Sequence, residues 1–104
     1  MDLGPYDGKR LSLLLCGETA NGEDDWAVFP GVARLRDRVL YLERPGNQPD
    51  VEIRAEWYDR IKPTNDKTTR EILQGADYYL GLTVGNISAE DAKELERIGL
   101  KWPK

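Results

Sequence analysis

The chain has no histidine, one cysteine, one methionine and one phenylalanine in 104 residues. Without histidine it lacks the commonest general base, the usual proton shuttle and the commonest metal ligand. A single cysteine excludes an intramolecular disulfide and any zinc centre built on several thiolates. Cys16 follows Leu13, Leu14 and Leu15, so the expectation is a buried, inert thiol in a reducing compartment. Glycine-rich phosphate loops, nucleophile elbows and metalloprotease helix motifs are also missing. So are internal repeats and low-complexity segments.

Long apolar runs are absent too, and none approaches the roughly 20 residues of a membrane-spanning helix. The run ending at Cys16 is shorter than the roughly 7 to 15 residues of a signal-peptide core. Asp2 and Asp7 precede the basic pair Lys9-Arg10, and bulky Leu15 stands where cleavage would want a small side chain. The expectation is a cytoplasmic protein with no membrane partner.

What is there suits one modest domain. The chain is 39% apolar and 33% charged with a net charge of -4, a globular composition without the basic field of a duplex-DNA binder. Residues 1–8 read as an extended arm, 9–87 as a β-sheet or barrel, and 88–104 as a C-terminal helix and tail. "RLSLLLCGE" reads as a buried strand and "WAVF" as another, stopped by the turn signal Pro30-Gly31. "VARLRDRVLYLE" reads as a hairpin turning near Asp37, and "RPGNQPD" as a loop. In "VEIRAEW", Val51, Ile53, Ala55 and Trp57 alternate with charged residues, the period-two pattern of a strand with one wet face. "KPTNDKTT" reads as a loop, "REIL" as a short element of unassigned type, "QGAD" as a turn and "YYLGLTV" as a strand.

The end of the chain changes character. Ser88 with Asp91 three residues on resembles a capping box, and Ala92, Leu95 and Ile98 follow at helical spacing. Gly99 fits the left-handed position that closes a helix, with Leu100 folding back on Leu95. Five or six short strands with no helix between them predict a mainly β fold. The expected form is a small curved antiparallel sheet or barrel of SH3-like or Sm-like size, with one C-terminal α-helix.

Three sets of residues carry chemistry worth weighing. Glu23, Asp24 and Asp25 form the densest acidic patch, yet the twelfth position from Asn21 is Val32 rather than the glutamate of a calcium loop. Asn21-Gly22 is instead a strong hairpin pair, so the stretch reads as a polar turn. Arg34, Arg36 and Arg38 fall at alternate positions, as a phosphate-contacting row would. From Gly31 to Lys62, however, seven basic residues meet six acidic ones, which favours a solvated surface. Finally, alternation in "EWYDR" and "DYYLG" sends Trp57 and Tyr78 inward and Tyr58 and Tyr79 outward, with Arg54 and Arg60 on Tyr58's face. Gly81 leaves a gap beside Tyr79. Tyrosine beside arginine is the composition of interface hot spots and of base-stacking platforms.

"LSLLLC" and "VLYL" are apolar on both faces, so the second face needs a cover. The C-terminal helix with Trp102 is expected to cover part of it, and the remainder falls to a second copy of the chain or to the arm with Leu3 and Tyr6. The sequence therefore points to a non-catalytic interaction module that uses no cofactor and no metal. It binds another protein through Tyr58, Tyr79, Arg54 and Arg60, with self-association and a regulatory role in the same class. The first alternative is a single-stranded RNA or DNA binder using Arg34, Arg36 and Arg38; the second is a carboxylate-based metal binder or enzyme.

Overall fold

A computed structural model describes residues 2–18 and 21–102. Thr19 and Ala20 of the acidic connection lie outside the described residues, as do Met1, Pro103 and Lys104. The chain is mainly β, 39% strand and 28% helical. Six strands form one sheet: β1 Arg10–Glu18, β2 Asp24–Arg36, β3 Val39–Glu43, β4 Val51–Ile53, β5 Ile61–Pro63 and β6 Tyr78–Thr83. Two α-helices, α1 Lys67–Ile72 and α2 Ala89–Arg97, complete it with three short 3-10 turns.

The order across the sheet is β4-β3-β2-β1-β6-β5. β1 to β4 form an antiparallel meander, whereas β6 joins the free side of β1 in parallel. The sheet is therefore mixed and is not closed into a barrel. Its edges need no closure, because β4 and β5 are three residues each and β5 ends in Pro63, devices that blunt edge pairing.

Side-chain alternation sorts the sheet into two unlike faces. Leu11, Leu13 and Leu15 of β1 line one face with Leu40, Leu42, Val51, Ile53, Leu80 and Leu82, all at most 1% exposed. Trp57, Leu95 and Leu100 close over them, with Leu3 of the arm in the same cluster. The arm contributes further through Tyr6, whose ring meets Tyr78 edge-on at 5.0 Å. It thus seals the core face and leaves the opposite face uncovered.

Several local expectations are corrected. Pro30-Gly31 does not turn the chain; β2 runs through it for 13 residues. Pro30 falls where β2 pairs with β1 alone, since β3 begins its pairing at Val32, and a strand proline is tolerated in such an edge setting. "VEIRAEW" is a strand only to Ile53, after which Ala55–Arg60 is a 3-10 helix. Ile53 pairs with Leu40, and β3 ends one residue further at its hairpin turn, so the ladder has run out of partner. "KPTNDKTT" contains part of β5 and the start of α1, whose N-cap Asp66 accepts hydrogen bonds from the Thr69 N–H (2.7 Å) and hydroxyl (2.8 Å).

Other expectations hold. The β2–β3 hairpin turns on Asp37 and Arg38, both with positive φ (49° and 68°), as a two-residue hairpin turn requires. In α2 the Ser88 hydroxyl accepts from Asp91 N–H at 3.1 Å. Gly99 sits at φ 95°, and Leu100 N–H donates to the Leu95 carbonyl at 2.9 Å while its side chain is fully buried. Arg44, buried on the core side, donates to the Ile98 carbonyl (2.6 Å) and to the Pro49 carbonyl (2.9 Å), tying the end of α2 to the sheet. Among the described residues no helix is long and apolar enough to cross a membrane.

Candidate functional site

The face left open by the core carries Ser12, Leu14 and Cys16 from β1. Across the ladder they meet Pro30, Val28 and Trp26 on β2, and Tyr79, Gly81 and Thr83 on β6. α1 roofs one end: the Ser12 hydroxyl donates to the Leu73 carbonyl at 2.8 Å, and Leu73 is buried there. Among the described residues no helix covers the other end, around Cys16.

Three large apolar side chains stand exposed among the described residues: Trp26 at 54%, Ile72 at 51% and Val84 at 58%. All three line this open end. A groove of about 260 Å³ runs between Leu14, Trp26, Ile72, Leu73 and Tyr79. Trp26 also forms the wall of a second groove, about 690 Å³, with Cys16, Asp24, Asp25, Thr83 and Val84. On the far side, Tyr79 and Gly81 border a third groove with Asp59, Arg60 and Lys62. Nothing lies within 4 Å of where a Gly81 side chain would begin, so the gap beside Tyr79 is real space.

The residues expected to form a binding surface are divided by the fold. Tyr79 and Arg60 come together at the third groove. Tyr58 does not join them, because the 3-10 helix packs its ring against the core, with its hydroxyl 3.4 Å from Leu40 N–H. Arg54 turns toward α2 and pairs with Asp91 (3.3 Å) and with Glu52. Arg34 and Arg36 share a face of β2, but Arg38 is on the turn. Both strand arginines bind Glu43 (2.7 and 2.6 Å), and Arg36 also binds Asp50 at 3.0 Å while lying over the Tyr41 ring. The cationic row is thus matched by carboxylates.

Asp24 and Asp25 open β2, and Asp25 accepts a hydrogen bond from Trp26 N–H at 2.8 Å. Glu23 precedes them, exposed. Cys16 is half-buried rather than buried, and its thiol pKa is raised, first by burial and then by the negative charge of Asp24. A thiol held protonated in this way is a poor nucleophile. The shifted carboxylates move the opposite way. Arg34 lowers Glu43, the Thr69 N–H lowers Asp66, Arg70 lowers Asp77 and Arg97 lowers Glu94. Each is held ionised, whereas a general acid needs its pKa raised.

Trp26, Ile72, Val84 and Leu14 were missed as surface residues in the sequence. Leu14 alone left a signal, since it belongs to a strand apolar on both faces. Comparison with protein-family models, curated proteins and solved structures finds no match for this chain.

Proposed function

We propose that the chain is a non-catalytic interaction module whose open sheet face docks another polypeptide. The observation that carries this reading is the convergence of exposed Trp26, Ile72 and Val84 around one face that α1 covers only in part. Single exposed apolar residues are ordinary, but a contiguous aromatic-rich patch rimmed by charge is the mark of a docking surface. Trp26 and Tyr79 are the side chains of the kind that dominate binding energy, and Arg60 belongs to the rim. A sheet that is already folded presents them without an ordering cost. The lone free thiol suits a reducing compartment.

The nucleic-acid alternative has less support, because the aromatic stripe ends at Asp24 and Asp25 and the Arg34–Arg36 row is already ion-paired. A phosphate backbone would meet repulsion at one end and competition at the other.

The test is capture from source lysate with tagged chain, with and without nuclease, comparing wild type with Trp26→Ala and Gly81→Trp. A polypeptide, the untagged native chain included, is expected to survive nuclease and to be lost in both variants. Material lost on nuclease treatment would move the reading to nucleic acid. Capture indifferent to both substitutions would remove the face from consideration.

A further inference from the structure

β2 is longer than its partner on one side. β1 pairs with it from Asp24 to Val32, whereas β3 pairs with it only from Val32 to Arg36. Backbone facing decides what that difference leaves open. Ala33 N–H donates to the Lys9 carbonyl (2.8 Å), and its own carbonyl accepts from Gly8 N–H (2.7 Å). Facing alternates along an antiparallel strand, so the odd-numbered residues of β2 turn their backbone groups to β1 and the even-numbered ones turn away. Arg36 agrees, since it closes the two-residue hairpin against Val39 and so faces β3.

Asp24, Trp26, Val28 and Pro30 therefore present their backbone on the side where β3 has ended. Among the described residues no other strand pairs there. Trp26 N–H is held by the carboxylate of its own neighbour, Asp25, at 2.8 Å. Pro30 has no N–H to present, and Arg44 and Pro45, where the chain leaves β3, line the same cavity. The result is an edge of seven residues, Asp24–Pro30, with four carbonyls and three N–H groups turned outward. β4 and β5, the outer strands, are three residues each, so this is the longest uncovered edge among the described residues.

The chemistry of the edge describes its occupant. Backbone groups at this spacing are matched by an extended strand, which binds by adding to the sheet. Trp26 and Val28 lie on the open face beside Cys16 and Leu14, so apolar side chains opposite them would prolong that face. Neither Asp24 nor Asp25 has a cation within ion-pair distance among the described residues, which calls for basic residues at that end. A second copy of the edge, "DDWAVFP", brings two more carboxylates, no cation and a residue without an N–H. It is the poorer match. The antiparallel direction continues the line of β3 and is the slightly stronger pairing.

We infer that an extended segment of another polypeptide adds antiparallel to β2 along Asp24–Pro30, with apolar residues beside Val28 and Trp26 and basic residues beside Asp25 and Asp24. This rests on the docking-face reading above and supplies its mode of attachment.

The probe is an end-blocked peptide, Thr-Thr-Val-Thr-Val-Lys-Lys, titrated into the isotope-labelled chain and followed by amide NMR. The Trp26 and Val28 amide signals are expected to shift, with a dissociation constant of about 1 mM or tighter. Methylating the two valine nitrogens of the peptide, which face β2, is expected to weaken binding about ten-fold or more. Methylating the threonine nitrogen between them, which faces away, is expected to leave binding intact. Glutamates in place of the lysines are expected to weaken it, by a margin that shrinks with salt. Val28→Pro removes an outward N–H without touching the β1 ladder, a setting in which a strand tolerates proline. It is expected to weaken binding about ten-fold, and Val28→Ala, which keeps the N–H, by less. Near-ultraviolet circular dichroism confirms that each variant is folded before it is scored.

Trp26 and Val28 signals that ignore the peptide at about 5 mM overturn the inference, as does binding indifferent to valine methylation. Signals that move with the chain's own concentration, in the absence of peptide, make the occupant a second copy and overturn the assignment to another polypeptide. The docking face is judged separately, by capture with Gly81→Trp, which fills the groove beside Tyr79 and leaves the β2 edge untouched. Capture lost in that variant, with no peptide binding, keeps the face and removes strand addition.

Discussion

The two faces of β1 differ by one residue of offset and by everything that follows from it. Leu13 is 1% exposed among Leu42, Leu80 and Trp57, while its neighbour Leu14 looks into a groove with Trp26 and Ile72. Both faces are apolar, so hydrophobicity alone does not separate a core from a surface in this strand. What separates them is supply. α2, the 3-10 helix and the arm all pack on the Leu13 face, whereas six-residue α1 reaches only from Ser12 to Leu14 on the other.

The sharpest way to break the contrast is to truncate adjacent residues of that strand. Leu13→Ala is expected to cost about 2–5 kcal/mol, because it leaves a cavity in a closed core; urea denaturation measures it. Gly31→Ala comes next, at about 1–3 kcal/mol. Its new methyl would meet the Glu43 carbonyl oxygen and Leu42 Cδ1 at 2.7 Å on the core side, and a thermal melt reads the loss. Leu14→Ala is expected to cost under about 1 kcal/mol in dilute solution. If the face is shared between copies, that cost grows with protein concentration, so melts at two concentrations sharpen the distinction.

Acid should produce the smallest effect, and it should be felt most at short α1, which a lowered carboxylate holds at each end. Asp66, lowered mainly by the Thr69 N–H, and Asp77, lowered mainly by Arg70, hold the two ends of α1. Their folded pKa values lie below their unfolded ones. Their contribution is therefore complete above the ordinary aspartate range, near about 4, and is lost as pH falls through the folded values. Amide exchange across that window should show α1 opening before α2 or β1. Asp77→Asn should reduce the pH dependence.

These contrasts also mark what was legible in the sequence. The C-terminal helix was readable from Ser88 to Leu100 because start, periodicity and stop signals all lie within one short segment and agree. The β2–β3 hairpin was readable only in part, because a weak two-residue turn signal near Asp37 also allowed one long strand. The parallel partnership of β1 with β6 was not, since nothing in "YYLGLTV" states which free edge it will join. The reach of the period-two pattern in "VEIRAEW" was overstated, because a strand ends where its neighbour ends, and the neighbour's length is set elsewhere. At the candidate site, the outward turn of Tyr79 and the gap at Gly81 were legible from alternation, but Arg60 was expected beside Tyr58 and stands beside Tyr79 instead, because Ala55–Arg60 is a 3-10 helix and not a strand. Trp26 was not legible, because a tryptophan opening a strand reads as core until the helices that would cover it are seen to pack on the other side.

The parallel pairing of β1 with β6 has a consequence for the order of synthesis. β1 to β4 are complete once residue 53 has been made, and each of their pairings joins neighbours in sequence. The remaining side of β1 waits for Tyr78–Thr83, more than sixty residues downstream of the strand's start. Through that interval a growing chain carries Leu11 to Cys16, four of them leucine, as an unpaired edge, the kind of template on which nascent chains stick to one another. Closing it is a long-range event and therefore a slow one. On a ribosome making roughly 5–20 residues per second, the exposure lasts seconds, and it ends only when the last strand of the sheet is delivered.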